Sequence, residues 1–322
     1  MRASFLGSLV ALLSLASFAG CSRSASPSYV PAAGSSESFA IRTAAQKAAG
    51  LIYSSAFGGN TVSYYLKGTG PNNPLAGTLS GPFAQPQGMG VDQNGDLYVS
   101  NGNDEDILVF AAGSTSPTGT LDDLNKFPDD VAIARDGTVY VANGSGPIGA
   151  SGNVVVYAPG ATSPTSTLND KNFLHVVGVA LDKNGNLFVS CNAQQAIGTG
   201  TVVEFKVGSS TPIDTHIKLG YAGGIAIDGS GHIAVVDQEV PSLNIYDVGN
   251  QKPIATPNLP SASAYIAFNR TSKVLFVADY SKGEIDVFDY SPSALKRINR
   301  ITNGITPSND NMGIAVTPAQ RL

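Results

Sequence analysis

The chain of 322 residues contains no tryptophan, two cysteines and three histidines, and only 13% of its residues are charged. Ordinary soluble domains carry roughly 25% charged residues. The formal net charge is -5 and the basic residues form no block, so phosphate neutralisation has no evident source and we predict no nucleic-acid partner. Glycine and proline are plentiful instead, at 36 and 19 residues, which is typical of many short strands joined by turns.

The sequence patterns of common catalytic sites are also missing. No Gly-x-Ser-x-Gly elbow, phosphate-binding loop or dinucleotide fingerprint occurs in a context that would give it meaning. We therefore predict no nucleotide cofactor. The many glycine-containing segments are interpreted as hairpin turns.

Residues 1–21 have the pattern of an export signal. Arg2 precedes an apolar stretch over residues 5–19, which is too short for a transmembrane helix, and small residues follow. The run Phe18-Ala19-Gly20-Cys21 resembles the bacterial lipoprotein signal, in which the cysteine receives lipid and becomes the new N-terminus. Phe18 departs from the usual leucine of that signal. The alternative is an ordinary signal peptide cleaved after Ala19.

Lipidation of Cys21 implies an exported protein whose lipid anchor is its only attachment to a membrane. Ser22 stands where inner-membrane retention signals have aspartate, so we expect the outer membrane or periplasm if the organism is Gram-negative. Residues 22–47 are rich in Ser, Ala and Pro and predict a flexible tether, which leaves residues 48–322 for the folded domain. Cys191 is then alone, so we expect no disulfide and a small buried side chain rather than a nucleophile.

A strand–turn–strand pattern recurs from residue 50 onward. A short apolar strand meets a polar turn that usually contains Asn-Gly, Asp-Gly or Ser-Gly, because glycine tolerates the positive φ of a tight hairpin, and a β-branched strand follows. The fifth copy lacks glycine and has one more residue, so we expect a longer turn there. The five copies are GMGVDQNGDLYVSN (88–101), DVAIARDGTVYVAN (130–143), GVALDKNGNLFVSCN (178–192), GIAIDGSGHIAVVD (224–237) and YIAFNRTSKVLFVAD (265–279).

The length of the repeat indicates the architecture. One valine of the second strand recurs at intervals of 42, 48, 46 and 42 residues, at Val99, Val141, Val189, Val235 and Val277. This period fits a four-stranded propeller blade.

The two ends of the domain complete one another. Residues 50–68 align with second and third strands, whereas residues 312–318 form a first strand with nothing after it. We predict an all-β fold, a six-bladed β-propeller of four-stranded blades, in which the last blade is closed by the N- and C-terminal strands. Such closure removes open sheet edges.

Two segments carry a family resemblance. The runs PQGMGVDQNGDLYVSN (86–101) and LFVADYSKGEIDVFDY (275–290) resemble NHL repeats, and also blades of the gluconolactonase and senescence-marker family, which shares the six-bladed form. The resemblance covers residues 50–322 and implies the fold more than an activity. The Glu-Gly-Pro signature of the lactonase first blade is absent, and Tyr53-Ser54-Ser55 stands near that place.

A propeller collects side chains on one face around the central channel. The start of each first strand lies on the same face as the end of each second strand, and we call this the mouth face. First-strand starts offer Gln87, Asp129, Asp130 and His175; second-strand ends offer Asn101, Asn143, Asn192, Asp237 and Asp279; loops add Asp104, Glu105, Asp106, Glu239 and Asp310. We interpret Gln87, Asp129, Asn101, Asn143 and Asn192 as candidate ligand-binding residues.

Oxygen ligands predominate on this face, as Ca²⁺ requires. In the gluconolactonase-like family a divalent metal at the mouth activates water or polarises a lactone carbonyl. The resemblance implies that Asn101, Asn143, Asp237 and Asp279 correspond to such ligands. The alternative is structural, because Asn and Asp after a strand commonly accept hydrogen bonds from backbone N–H groups.

The histidines do not suggest zinc. His175 falls at a first-strand start, His216 on an outer strand and His232 in a turn on the opposite face, so the three cannot converge on one ion.

Three functional hypotheses remain open. The first is a cell-envelope binding or scaffolding module that presents its mouth face to a protein, peptide or glycan. The second is a calcium-dependent, lactonase-like hydrolase, and the third is a purely structural envelope lipoprotein. We expect a monomer in each case.

Overall fold

The computed structural model describes residues 50–68, 73–124, 126–144, 151–305 and 311–320. The predicted signal with Cys21, the predicted tether over 22–47 and Asp310 lie outside the described residues. No helix in the described part of the chain is long and apolar enough to cross a membrane.

The described residues form 23 strands and one short 3-10 turn at Gly102–Asp104. The first twelve strands are β1 (Leu51–Ala56), β2 (Thr61–Leu66), β3 (Leu75–Thr78), β4 (Pro86–Val91), β5 (Leu97–Asn101), β6 (Asp106–Phe110), β7 (Gly119–Asp122), β8 (Pro128–Ile133), β9 (Val139–Asn143), β10 (Asn153–Tyr157), β11 (Ser166–Leu168) and β12 (His175–Leu181). The others are β13 (Leu187–Asn192), β14 (Gly200–Phe205), β15 (Pro212–Leu219), β16 (Ala222–Ile227), β17 (Ile233–Asp237), β18 (Ser242–Tyr246), β19 (Ile266–Phe268), β20 (Val274–Asp279), β21 (Glu284–Ser291), β22 (Ala294–Ile301) and β23 (Asn311–Val316).

The strands form six antiparallel sheets, which are the blades of a propeller. Blade I has the order β23-β1-β2-β3, and the following blades are β4–β7 (II), β8–β11 (III), β12–β15 (IV), β16–β18 (V) and β19–β22 (VI). The inner strands contact one another in a closed ring, in the order β23, β4, β8, β12, β16 and β19. The predicted six-bladed propeller is confirmed.

Blade I joins the two ends of the domain, as the sequence predicts. In it Tyr53 of β1 pairs with Ala315 of β23. The amide of Gly313 donates a 2.7 Å hydrogen bond to Ser55 Oγ, and Ser55 Oγ donates to the carbonyl of Gln87 in blade II over 2.7 Å. The closing strand is therefore bonded to its own blade and, through Ser55, to the next one.

Four of the five turns between first and second strands begin with an Asp or Asn acceptor, whereas the blade III turn has Ala134 at that position and uses Asp136 instead. Asp92 Oδ1 accepts hydrogen bonds from the amides of Asn94 and Asp96, over 2.9 and 2.8 Å, while Gly95 adopts φ +92°. This Asx turn requires an acceptor at its start and a residue that tolerates positive φ before the second strand. These turns form the face opposite the mouth face, which we call the turn face.

The fifth of these turns is longer, as expected. Phe268 pairs with Leu275, so one more residue separates the paired positions than between Val91 and Leu97. Ser272 takes the positive φ there, at 52°.

Apolar side chains between neighbouring blades form the core. The five valines that define the repeat are all fully buried, at 0% exposure: Val99, Val141, Val189, Val235 and Val277. Cys191 is also fully buried in β13, and burial raises the pKa of its thiol well above the usual range. The predicted burial of Cys191 is confirmed.

Blade V departs from the four-stranded pattern. Its outer segment pairs with β18 in two isolated bridges rather than in a continuous ladder, between Ser242 and Asn258 and between Ile245 and Ala255. Pro253 and Pro257 interrupt this segment. Proline has no amide hydrogen to donate to a ladder, so a continuous fourth strand does not form.

Candidate functional site

The mouth face brings first-strand starts beside second-strand ends, as the repeat predicts. His175 pairs with Asn192, and Ala222 pairs with Asp237. Asn101 and Asn143 lie opposite prolines at the starts of β4 and β8. The oxygen-rich side chains are thus distributed around the channel mouth in blades II to VI.

A chain of hydrogen bonds crosses four successive blades on this face. Gln87 of blade II donates from Nε2 to Asp129 Oδ1 of blade III over 2.5 Å. Asp129 Oδ2 lies 3.0 Å from His175 Nε2 of blade IV, and His175 Nδ1 lies 3.0 Å from the Tyr221 hydroxyl, which precedes the first strand of blade V. We call these four residues the mouth array.

The array has a buried acidic centre and two partly exposed ring residues, His175 and Tyr221. Asp129 is buried, and its burial raises the pKa of the carboxyl group, while hydrogen bonds from His175 and Gln87 lower it. The His175 side chain is 29% exposed. When Nε2–H donates to the carboxylate, Nδ1 accepts from the Tyr221 hydroxyl, so Asp129 orients the imidazole and selects its tautomer. Burial, and then the charge of Asp129, raises the pKa of Tyr221.

Glycine is required beside the array. A Cβ atom at Gly144 would lie 2.9 Å from Asp129 Oδ2 and 3.3 Å from the His175 ring. A larger residue there would push the carboxylate or the imidazole out of position.

The three candidate asparagines make structural contacts. Asn192 bonds to the backbone of the next blade in both directions, from Nδ2 to the Ala222 carbonyl over 3.1 Å and from the Ala222 amide to Oδ1 over 2.9 Å. Asn101 Oδ1 accepts from the Ala84 amide over 2.6 Å. Asn143 Nδ2 donates to Asn153 over 2.8 Å, while its buried Oδ1 has no hydrogen-bond partner among the described residues.

The two aspartates proposed as metal ligands also have partners. Asp237 accepts from the amides of Gly220 and Glu239, over 2.7 and 3.0 Å. Asp279 accepts from Ser261, from Ser281 Oγ over 3.0 Å and from the Lys282 amide over 3.0 Å. These contacts are of the kind that the structural alternative predicts, and metal binding by Asp237 or Asp279 stays a prediction.

Asp279 belongs to a group of three buried carboxylates in blade VI. Ligand atoms of Asp279, Glu284 and Asp286 lie within 4.8 Å of one another. Three basic side chains balance them: Lys282 lies 3.9 Å from Asp279, Arg300 lies 3.0 Å from Glu284 and Arg297 lies 3.2 Å from Asp286. Burial raises the pKa of both Glu284 and Asp286. The other three predicted ligands, Asn101, Asn143 and Asp237, lie in other blades, and the calcium site stays a prediction.

Exposed apolar side chains stand on the loops around the array. Leu124 and Ile197 are each 70% exposed and Val240 is 61% exposed. They lie in the connection from β7 to β8, in the β13–β14 loop and in the β17–β18 loop, all of which are on the mouth face. The loops belong to blades III, IV and V, the same side of the ring as Asp129, His175 and Tyr221.

Sequence reasoning identified Gln87, Asp129 and His175 as first-strand residues but missed Tyr221. Tyr221 lies one residue before β16. It stands three residues before the repeat copy that begins at Gly224, as His175 stands three residues before the copy that begins at Gly178, so the alignment of the repeats carried the signal.

No family model and no curated protein matches this chain. The structure is similar to a chain in a nidogen/laminin complex, with a TM-score of 0.67 and 13% sequence identity over 84% of this chain and 99% of that chain. It is also similar to a hydrazine synthase structure from Kuenenia stuttgartiensis, with a TM-score of 0.55 and 15% identity over 78% of this chain and 83% of that chain. Together with the ring of six sheets, these similarities show that the chain folds as a six-bladed β-propeller.

Proposed function

We propose that this chain is an exported, lipid-anchored binding module whose mouth face holds a protein partner. The observation that carries the proposal is the set of exposed apolar side chains, Leu124, Ile197 and Val240, beside the hydrogen-bonded mouth array. Protein interfaces combine apolar anchors with polar groups in fixed positions. Export, lipidation at Cys21 and the location in the envelope are parts of this proposal that rest on the sequence.

The fold supports this use of the face. The described mouth-face loops that carry Leu124, Ile197 and Val240 each connect strands that are paired within their blades, and loops on such a scaffold commonly carry binding residues. The similar propeller in the nidogen/laminin complex is a precedent for the fold within a protein complex.

Photocrosslinking in the organism itself tests the proposal. A photoreactive residue at Ile197, which is 70% exposed on the mouth face, is compared with one at Val207, which is 64% exposed on the turn face. We expect the photoreactive residue at position 197 to give one discrete crosslinked adduct, and the one at position 207 to give no such adduct. With the photoreactive residue kept at position 197, the double variant Leu124→Asp and Val240→Asp should abolish this adduct, whereas Val207→Asp should retain it.

Equal crosslinking from both faces would contradict a specific mouth-face interaction. No adduct from either position, with the protein folded and correctly exported, would favour the purely structural lipoprotein.

The calcium-dependent, lactonase-like alternative has its own test. Thermal unfolding of the full chain is followed with excess Ca²⁺ and then with chelator, because an ion bound only by the native state raises stability. If Asp237 or Asp279 is a ligand, the increase in Tm disappears in Asp237→Asn or Asp279→Asn.

A further inference from the structure

A cavity of about 410 Å³ occupies the central channel. It extends to the turns between first and second strands, since Arg135, Asp136, Lys183 and Asn184 of those turns line it. It therefore opens on the turn face, opposite the mouth array. Its volume is within the range of small-molecule sites, roughly 300–1,000 Å³.

The middle of the cavity wall is apolar, although polar residues also line the cavity. Every inner strand contributes one buried apolar residue to a ring in the lining: Met89, Val131, Val179, Ile225, Ile266 and Ile314. Contact with this ring removes apolar ligand surface from water.

Asp130 is the carboxyl group that lines the cavity on the mouth side of this ring. It lies directly before Val131 on β8, and its Oδ2 accepts a 3.1 Å hydrogen bond from the Val179 amide of blade IV. Gly88 of blade II makes room for it, since a Cβ atom there would lie 2.3 Å from Asp130 Oδ1. The carboxyl group is thus held between three blades.

Among the described residues, no cation lies against the Asp130 carboxyl group to compensate its charge. Burial raises the pKa of Asp130 to about 8. Hydrogen bonds from the Val179 and Val131 amides lower this pKa, and the negative charge of neighbouring Asp129 raises it to a smaller degree. Of the neighbouring groups, His175 of β12 bonds to Asp129, and Tyr265, which directly precedes β19, donates from its hydroxyl to the Val177 carbonyl over 3.2 Å. Gln87 of β4 also bonds to Asp129.

The basic residues of the cavity are distant from Asp130. Arg135 lies five residues further along the chain, which is about 16 Å of extended strand. Lys183 lies in the corresponding turn of blade IV, beyond the end of β12. Both stand at the open end beside Asp136 and Asp182.

We propose that the channel binds a small apolar amine, whose ammonium group pairs with Asp130 and whose hydrocarbon part contacts the ring of apolar side chains. A buried carboxylate without a cation lowers its energy by taking up a proton. An ammonium group supplies the missing cation. A neutral alcohol of the same shape would gain the wall contacts but not the ion pair.

Calorimetric titration of the full-length protein with hexylamine and with 1-hexanol tests this site. The amine is protonated at both pH 6 and pH 7. Only the ionised fraction of Asp130 can pair with it, so we expect the apparent Kd for hexylamine to fall roughly tenfold between these pH values. We expect 1-hexanol to bind more weakly at pH 7 and with no dependence on pH.

Asp130→Asn is the decisive variant, because its amide oxygen can still accept from the Val179 amide. We expect it to remove both the preference for the amine and the pH dependence. Asp136→Asn, at the open end, is the matched control and should leave both unchanged.

Binding of hexylamine to Asp130→Asn with unchanged Kd would overturn the proposal, as would equal affinity for amine and alcohol or no binding to the folded protein. If Asp130→Asn does not fold, the pH series on the unchanged protein still decides. A failed partner search at the mouth face would leave these results unaffected, because the two sites are on opposite faces.

Discussion

Leu51 and Thr317 are joined by two hydrogen bonds although 266 positions separate them: the Leu51 amide donates to Thr317 Oγ1 over 2.8 Å, and the Thr317 amide donates to the Leu51 carbonyl over 2.8 Å. These bonds, with the pairing of β1 and β23, make blade I depend on both ends of the domain.

Deleting residues 312–322 should therefore abolish cooperative folding. The deletion removes most of β23 and exposes the edge of β1 together with the apolar surface beneath it. Circular dichroism during thermal unfolding should show no native transition for the truncated chain. A truncated protein that melts like the full-length chain would contradict the closure.

Gly313→Ala should destabilise the same closure more subtly. An added Cβ atom would lie 2.0 Å from the carbonyl oxygen of Gln87 in the neighbouring blade, so the backbone must move. We expect a loss of about 2 kcal/mol or more in the free energy of unfolding, measured by urea denaturation. Gly119→Ala is the matched control, because the nearest atom to its Cβ, on Val109, would be 3.8 Å away. A similar effect at both positions would contradict this account.

His175→Asn should cost stability at neutral pH. The shorter side chain leaves the buried Asp129 carboxyl without its hydrogen bond from Nε2, and a lost partner for a buried polar group typically costs about 1–3 kcal/mol. His216→Asn is the control, because His216 is 59% exposed and its ion pair with Asp214 at 3.3 Å is in contact with solvent. Chemical denaturation at pH 7 should separate the two variants clearly.

Stability should also depend on the ionisation of Asp130. Its pKa is about 8 in the folded protein and near 3.8 in the unfolded chain. Between about pH 4 and about pH 8, therefore, the folded state keeps a proton on Asp130 that the unfolded state has released. The resulting stabilisation is complete below about pH 4 and declines as the pH rises to about 8, by at most about 1.4 kcal/mol per pH unit.

Asp130→Asn should accordingly flatten the fall in unfolding free energy between pH 5 and pH 8. Burial also raises the pKa values of Asp123 and Asp106, to about 7 and about 6, so some slope should remain. Asp136→Asn is the control, because hydrogen bonds with Thr138 lower the pKa of Asp136 and it is ionised in both states over this range. An unchanged slope in Asp130→Asn would contradict the assignment.

The fold could be predicted because every blade repeats the same local chemistry. The valine positions mark the core face of the second strands, and the Asn-Gly and Asp-Gly turns set the register of each hairpin. The irregular outer segment of blade V was not predicted, although Pro253 and Pro257 carry the reason for it.

The site was only partly predictable. Gln87, Asp129 and His175 follow from their place at first-strand starts, but the contact of His175 with Tyr221 depends on side-chain orientation across two blades. Asp130 was placed with the mouth residues, whereas it lines the channel cavity that opens on the turn face. The alternation of polar and apolar residues along β8 does not determine whether the side chain of Asp130 faces the mouth or the channel.

Closure through β23 also restricts when the protein can fold. Domains commonly begin to fold while the chain is still being synthesised, from the N-terminus onward. Here β1 lacks its inner neighbour until residues 311–316 have been made, so blade I cannot be completed on a growing chain. If the chain is exported as we propose, the native propeller forms only after the whole polypeptide has emerged on the far side of the membrane.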